Sequence, residues 1–249
     1  MKIVLLDALT FGTTDLSGFD TFGEVEVFQT TSKEQTLERI TKADVIVTNK
    51  VVITDAHMQR CPNLKLICIA ATGMNNVDLE AAKSKNILVK NVAGYSTDSV
   101  IQHTFSMLFY LVGHSRYYDE VVKDGTYSKS AIFTDVSRPF FEIKGKKWGI
   151  IGLGSIGRGV ANIAKAFGAE IFYYSTSGVN RTDDFQRTSL DELLKTCDII
   201  SIHSPLNEQT NNLLDYEQLS TLKDGAVVLN LGRGGIINEE AVAAIIDEK

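Results

Sequence analysis

Short apolar runs alternate with amphipathic stretches along this chain, the pattern of strands interleaved with helices. In its first part Lys2–Leu6, Glu24–Phe28, Asp44–Thr48, Leu64–Ala70 and Ile87–Val89 read as strands. Ser32-Lys-Glu-Gln35 is spaced as a capping box and predicts a helix to Ile40; Asp78–Ser84 reads as another helix. A long helix follows over 96–115. Val100, Ile101, Phe105, Met107, Leu108, Phe109, Leu111 and Val112 cover most of its circumference, which predicts burial on most sides, between two domains. Residues 117–145 read as irregular, with scattered aromatics. Strands resume at Lys147–Ile151, Glu170–Tyr174, Asp198–Ile202 and Ala226–Asn230. The helix after the first of these carries apolar residues at 156, 160, 163, 164 and 167, and Gly168 is placed as its left-handed stop. Ser189-Leu-Asp-Glu192 is a second capping box, and Asn238 caps a last helix. The expected fold is α/β: two Rossmann-like or flavodoxin-like domains with parallel sheets, over 1–94 and 95–249.

Composition narrows the class. In 249 residues, 44% are hydrophobic, enough for a substantial core, and no run approaches the length of a membrane span. The opening apolar run ends at Asp7, too short for a secretion signal. A net charge of −6 argues against a nucleic-acid binder. Cys61, Cys68 and Cys197 have no paired or metal-like spacing, so reduced thiols, a cytoplasmic location and no metal are expected.

The chemistry concentrates in Lys147-Trp-Gly-Ile-Ile-Gly-Leu-Gly-Ser-Ile-Gly-Arg158, a strand, a glycine-rich turn and a helix start. In that order Gly152 permits the tight turn, Gly154 lets the backbone approach a pyrophosphate, and Gly157 lets helix and strand pack closely. Free amides and the positive end of the helix dipole then hold the anion. An acidic residue for the adenosine ribose is expected about 20 residues downstream. Tyr174-Ser-Thr-Ser-Gly178 stands there instead, with Ser175 at that position and Arg181 beyond. Hydroxyls serve a plain ribose, and with an arginine they suit a 2′-phosphate. NAD is the expected cofactor, with NADP an open alternative.

Three more segments stand out: Ala70-Ala-Thr-Gly-Met-Asn-Asn-Val-Asp78, His203-Ser-Pro-Leu206 with Thr210, and Asn230-Leu-Gly-Arg-Gly-Gly235. Arg233 follows an apolar strand at its carboxyl end, where open α/β sheets bind ligands, and a guanidinium can grip a carboxylate and polarise a carbonyl. Together with the glycine turn these segments resemble the D-2-hydroxyacid dehydrogenases, NAD(P)-dependent oxidoreductases, over nearly the whole sequence. The resemblance implies that Thr72 and Gly73 lie nearest the substrate carboxylate and that Arg233 is catalytic and beside the cofactor. It places Ser155 and Ile156 at the pyrophosphate, Ser204 and Pro205 with Thr210 in the loop along the adenosine half, Val100 near the nicotinamide, and Leu231 beside the cofactor. It also implies a small 2-oxo or 2-hydroxy acid substrate and a homodimer, with 117–141 and helix 96–115 as contact surfaces. The surroundings of Tyr174–Gly178 resemble glycerate dehydrogenases, pointing to hydroxypyruvate and D-glycerate, while D-lactate, 3-phosphoglycerate and formate stay open.

The family's acid, a histidine oriented by a glutamate, stands downstream of the arginine segment, and neither is present here. A strand order of 3-2-1-4 in the second domain would leave Ala226–Asn230 as an uncharged edge. Both features suggest a nucleotide-binding domain incomplete at its C-terminus and a chain inactive by itself. The alternative is a non-catalytic NAD(H)-sensing protein, as in the C-terminal-binding corepressors of the same fold.

Overall fold

The computed structural model describes residues 1–248. The chain divides into two units, Met1–Tyr95 and the part from Ser96 onward, and each is described by itself.

In the first unit β1 (Lys2–Leu5), β2 (Glu24–Val27), β3 (Val45–Thr48), β4 (Leu66–Ile69) and β5 (Leu88–Asn91) form one parallel sheet in the order β2-β1-β3-β4-β5. Both faces are covered, so the central strands need apolar residues at successive positions. Val4, Ile46, Ile67 and Ile69 fill one side, and Ile3, Leu5, Val45 and Val47 the other. Helices α1 (Lys33–Ile40), α2 (Asp55–Gln59) and α3 (Leu79–Ser84) connect the strands. The first capping box forms, with the Ser32 amide donating to Gln35 Oε1 at 3.0 Å. Asp7, which ends the first apolar run, is buried and accepts from the amides of Asn49 and Lys50, tying the end of β1 to the end of β3.

The second unit opens with α4 (Thr97–Val112) and α5 (Ser115–Lys123). The helix expected over 96–115 is α4, which stops at Val112; after Gly113 and His114, which takes a left-handed conformation (φ 48°), α5 makes part of the stretch expected to be irregular helical. Burial on most sides is also corrected. Ile101, Thr104, Phe105 and Leu108 are buried, whereas Phe109, Tyr110 and Leu111 are exposed.

β6 (Lys147–Ile151), α6 (Ser155–Ala166), β7 (Glu170–Tyr174), β8 (Gln186–Arg187), α7 (Leu190–Thr196), β9 (Ile199–Ile202), α8 (Tyr216–Ser220), β10 (Val227–Asn230) and α9 (Glu239–Glu248) follow. All the strands pair in parallel, in the order β10-β9-β6-β7-β8. The four-strand reading missed β8, a pair of exposed polar residues without an apolar signature. β8 takes the third place in the doubly wound order, so Ile199–Ile202 is fourth and pairs with β6 rather than β7. β10 ends the sheet among the described residues, beside β9 rather than β6. Gly168 stops α6 with φ 86°, and Asn238 Oδ1 accepts from the amides of Glu240 and Ala241 at the start of α9. Trp148, Phe105 and Val160 anchor the core between this sheet and the α4–α6 pair. No helix among the described residues is long and apolar enough to cross a membrane.

Candidate functional site

In the second unit the strand order reverses at β6, between β7 and β9, and ligands of open α/β sheets bind outside the carboxyl ends of strands at such a point. The glycine turn sits there, between β6 and α6. Gly152 has φ 94°, and a Cβ on it would lie 2.8 Å from the Ser204 amide nitrogen. A Cβ on Gly157 would lie 2.2 Å from the Gly152 carbonyl oxygen, so only glycine lets α6 start this close to the strand. Gly154 differs: its backbone is ordinary and extended (φ −79°, ψ −164°), and a Cβ there would meet nothing within 4 Å. The protein itself gives no reason for a bare Cα at 154.

The amides of Gly154, Ser155, Ile156 and Gly157 make no hydrogen bond to the described residues. The Ser155 side chain is exposed, while Ile156 is partly buried against the core. Around the turn three buried polar atoms lack a protein partner: Ser175 Oγ after β7, and His203 Nδ1 and Ser204 Oγ after β9. Buried polar groups are nearly always paired, so three orphans at the ends of the two strands that flank β6 mark a place for a polar ligand. Free amides, open space over Gly154 and unpaired hydroxyls fit the phosphates and ribose of a dinucleotide.

Beyond Ser175 the loop carries Thr176, Ser177 and Gly178 (φ 70°), and no carboxylate until Asp183. Arg181 is exposed and donates to the Gly178 carbonyl at 3.3 Å, while Arg158 of α6 reaches the Arg181 carbonyl at 2.8 Å. Neither arginine pairs with a carboxylate among the described residues.

The loops after β9 and β10 lie against one another. A Cβ on Gly232 would be 2.7 Å from the Ser204 carbonyl oxygen, and the Leu231 amide donates to the Ile202 carbonyl at 3.1 Å. Pro205 is exposed. Thr210 corrects the expectation of a ligand contact: it is fully buried, and its hydroxyl donates to the Pro205 carbonyl at 2.7 Å and accepts from the Asn207 amide at 2.8 Å. Thr210 braces the loop from within. Arg233 is exposed, donates only to the Gly232 carbonyl beside it, and has no carboxylate partner among the described residues. Asn230 holds the loop by donating to the Arg233 carbonyl and accepting from the Gly232 amide. Val100, partly buried in the first turn of α4, belongs to the same unit.

Thr72 and Gly73 lie in the other unit, in the loop from β4 to α3. Thr72 is exposed, its hydroxyl donates to the Val92 carbonyl at 3.3 Å, and its own carbonyl accepts from Asn91. The amides of Thr72, Gly73 and Met74 make no hydrogen bond to the described residues. Asp78 caps α3 by accepting from the Ala81 amide.

Histidines are mostly committed. His57 Nδ1 accepts from the Thr54 amide, His114 meets the Pro139 carbonyl, and His203 meets Ser201, leaving His103 exposed on α4. Burial holds the His203 imidazole down at about 4, so the ring is neutral at neutral pH. Burial also pushes the Cys61 and Cys197 thiols up to about 11, which leaves them unreactive. The sequence reading overlooked Trp148 and Ser201. Strand alternation puts Ser201 and His203 on one face, but the contact with Trp148 depends on the register between β6 and β9.

Residues 105–249 match the family model for the D-isomer specific 2-hydroxyacid dehydrogenase, NAD binding domain. A hydroxypyruvate reductase of Blautia hydrogenotrophica is 34% identical over 247 residues, covering 96% of this chain and 77% of that protein. Among solved structures, a D-lactate dehydrogenase from Aquifex aeolicus complexed with NAD and lactic acid is similar with a TM-score of 0.88 and 28% identity, covering 99% of this chain and 73% of the other. An acyclic imino acid reductase in complex with NADPH and D-Arg is similar with a TM-score of 0.88 and 29% identity, covering 100% and 80%.

Proposed function

Because the chain belongs to the D-isomer-specific 2-hydroxyacid dehydrogenases, we propose that it interconverts hydroxypyruvate and D-glycerate with a dinucleotide seated on the glycine turn before α6. That it is an oxidoreductase using NAD(P) follows from the family. The seat is supported above all by the open space over Gly154 beside free amides and three orphaned polar atoms. The choice of substrate rests on the Blautia relative.

In this reading the amides of Ser155 and Ile156 hold the pyrophosphate, Ser175 takes the adenosine ribose, and Ser204, Pro205, Leu231 and Val100 line the rest of the cofactor. The cofactor supplies the hydride. Arg233 grips the 2-oxo acid and polarises its carbonyl. In the first unit, the free amides of Thr72 and Gly73 offer donors suited to a carboxylate. The second reading, a cofactor-sensing protein without turnover, is favoured by one observation: His57, His114 and His203 are all tied to local partners. Steady-state oxidation of NADH and NADPH by a panel of small 2-oxo acids separates the two. Turnover fastest with hydroxypyruvate supports the enzyme, and tight NADH binding without turnover supports the sensor.

With a serine where a carboxylate would repel a 2′-phosphate, NADPH is expected to be used alongside NADH. Ser175→Asp should then depress kcat/KM for NADPH by at least about tenfold while sparing NADH, because an uncompensated like charge is added at the phosphate. Equal losses for both cofactors would contradict that placement of Ser175.

We further propose a cytoplasmic homodimer that buries the apolar surface of 127–140, where Phe133 is 90% and Val136 77% exposed. Phe133→Asp with Val136→Asp is expected to give monomers in sedimentation, whereas a wild-type monomer would end this part of the reading.

A further inference from the structure

Trp148, Ser201 and His203 lie on one face of the second sheet and join in an unbroken chain. The Trp148 indole Nε1 donates to Ser201 Oγ at 2.9 Å, and Ser201 Oγ lies 3.0 Å from His203 Nε2. An indole nitrogen only donates, so Ser201 is the acceptor in the first contact. Ser201 is fully buried and has no other partner for its own proton among the described residues. If His203 Nε2 also donated, that hydroxyl proton would be stranded in the core, a costly arrangement. The economical assignment runs one way, from the indole to Ser201 and from Ser201 to an unprotonated His203 Nε2. The ring is neutral, so its single proton must sit on Nδ1, and Nδ1 is the buried atom without a protein partner.

The place of the His203 backbone beside the glycine turn gives that proton a use. The His203 amide donates to the Ile151 carbonyl, the residue that leads β6 into the glycine turn, and a Cβ on Gly152 would lie 3.0 Å from the His203 carbonyl carbon. Ser204 Oγ, the neighbouring orphan, follows directly.

We propose that Trp148 and Ser201 lock His203 in one tautomer, so that its Nδ1–H stands as a fixed donor to an acceptor oxygen of the bound dinucleotide. The inference rests on the seating of the dinucleotide at the glycine turn. His203 thereby contributes to affinity, and Ser201 and Trp148 act through it as positioning residues. The donor is pre-aimed and already desolvated, so it orders little on binding.

The test has two independent arms. Nitrogen-15 NMR of the wild-type protein at neutral pH, with the His203 ring assigned by through-bond correlation, should show Nδ1 protonated and Nε2 bare. A protonated Nε2 would overturn the proposal even if every variant failed to fold. Calorimetric titration with NADH forms the second arm. Asparagine carries its amide nitrogen on the same Cγ as the histidine Nδ1, whereas glutamine reaches toward Nε2. His203→Asn should therefore keep NADH affinity within about threefold, while His203→Gln and His203→Phe should lose roughly tenfold. A purely structural role for His203 would give no such ordering. Phe binding NADH as well as wild type overturns the relay alone, since the seat would stand; a wild-type protein blind to NADH and NADPH overturns both.

Discussion

Replacing Gly157 by alanine is expected to abolish dinucleotide binding and to lower the melting temperature. The added Cβ would lie 2.2 Å from the Gly152 carbonyl oxygen and 3.1 Å from Ile150 Cγ2. The nearer neighbour is backbone inside a tight turn, so it cannot rotate away, and α6 must retreat from β6. Overpacking of this kind costs about 1–3 kcal/mol, a large share of a typical domain's stability. Binding suffers more, because the retreat carries the amides of Ser155 and Ile156 away from the position an anion needs. Gly159→Ala is the matched control. Its Cβ would lie just as close, 2.2 Å, but to Ile101 Cδ1, the end of a side chain that can change rotamer. Melting should fall for both variants, while NADH affinity by calorimetry should vanish for the first and stay within about threefold for the second. Loss of binding in both would mean that α6 packing in general, and not the turn, governs the site.

Arg233→Gln is expected to lower kcat/KM for 2-oxo acids by about 10²–10³, the range for removing a donor aimed at a developing oxyanion. Arg233 is exposed, its guanidinium spends one bond on the adjacent Gly232 carbonyl, and no carboxylate neutralises it among the described residues. Its backbone is nonetheless fixed by Asn230, which grips the loop at both Gly232 and Arg233. A held backbone with an unpaired cation is what anion capture requires. Arg233→Lys should recover little, because a point charge cannot make the paired bonds of a guanidinium to a carboxylate. NADH affinity should change by less than about threefold in either variant, which separates substrate capture from cofactor binding. A variant that loses NADH affinity and substrate turnover in parallel would place Arg233 on the cofactor alone.

Much of this architecture is written in local patterns. The central parallel strands are covered on both faces, so Lys2–Leu5, Val45–Thr48 and Ile199–Ile202 stand out as apolar runs. Gly152 and Gly168 were legible because a turn and a helix stop demand positive φ. β8 was invisible because a pair of exposed polar residues has no pattern to read, and missing it displaced β9 and β10 in the strand order. Helix α4 misled in another way. Apolar periodicity reports the total apolar surface, not how much of it this chain covers, and Phe109, Tyr110 and Leu111 lie on the uncovered side. Thr210 was placed beside the ligand by its motif, yet its hydroxyl is consumed inside the loop. The relay through Trp148 and Ser201 depends on pairing between β6 and β9, a relation between distant residues that no local pattern encodes.

The most direct measurement is calorimetric titration of NADH into wild type and Gly154→Val, with thermal melting of both ligand-free proteins. Position 154 has an ordinary backbone conformation and open space where a side chain would go, so the ligand-free fold should tolerate valine. Only a molecule lying against that Cα would object. A dinucleotide seated on the turn requires melting temperatures within a few degrees of each other and NADH affinity at least about tenfold weaker in the variant. A Gly154→Val protein that binds NADH as tightly as wild type would contradict that seating.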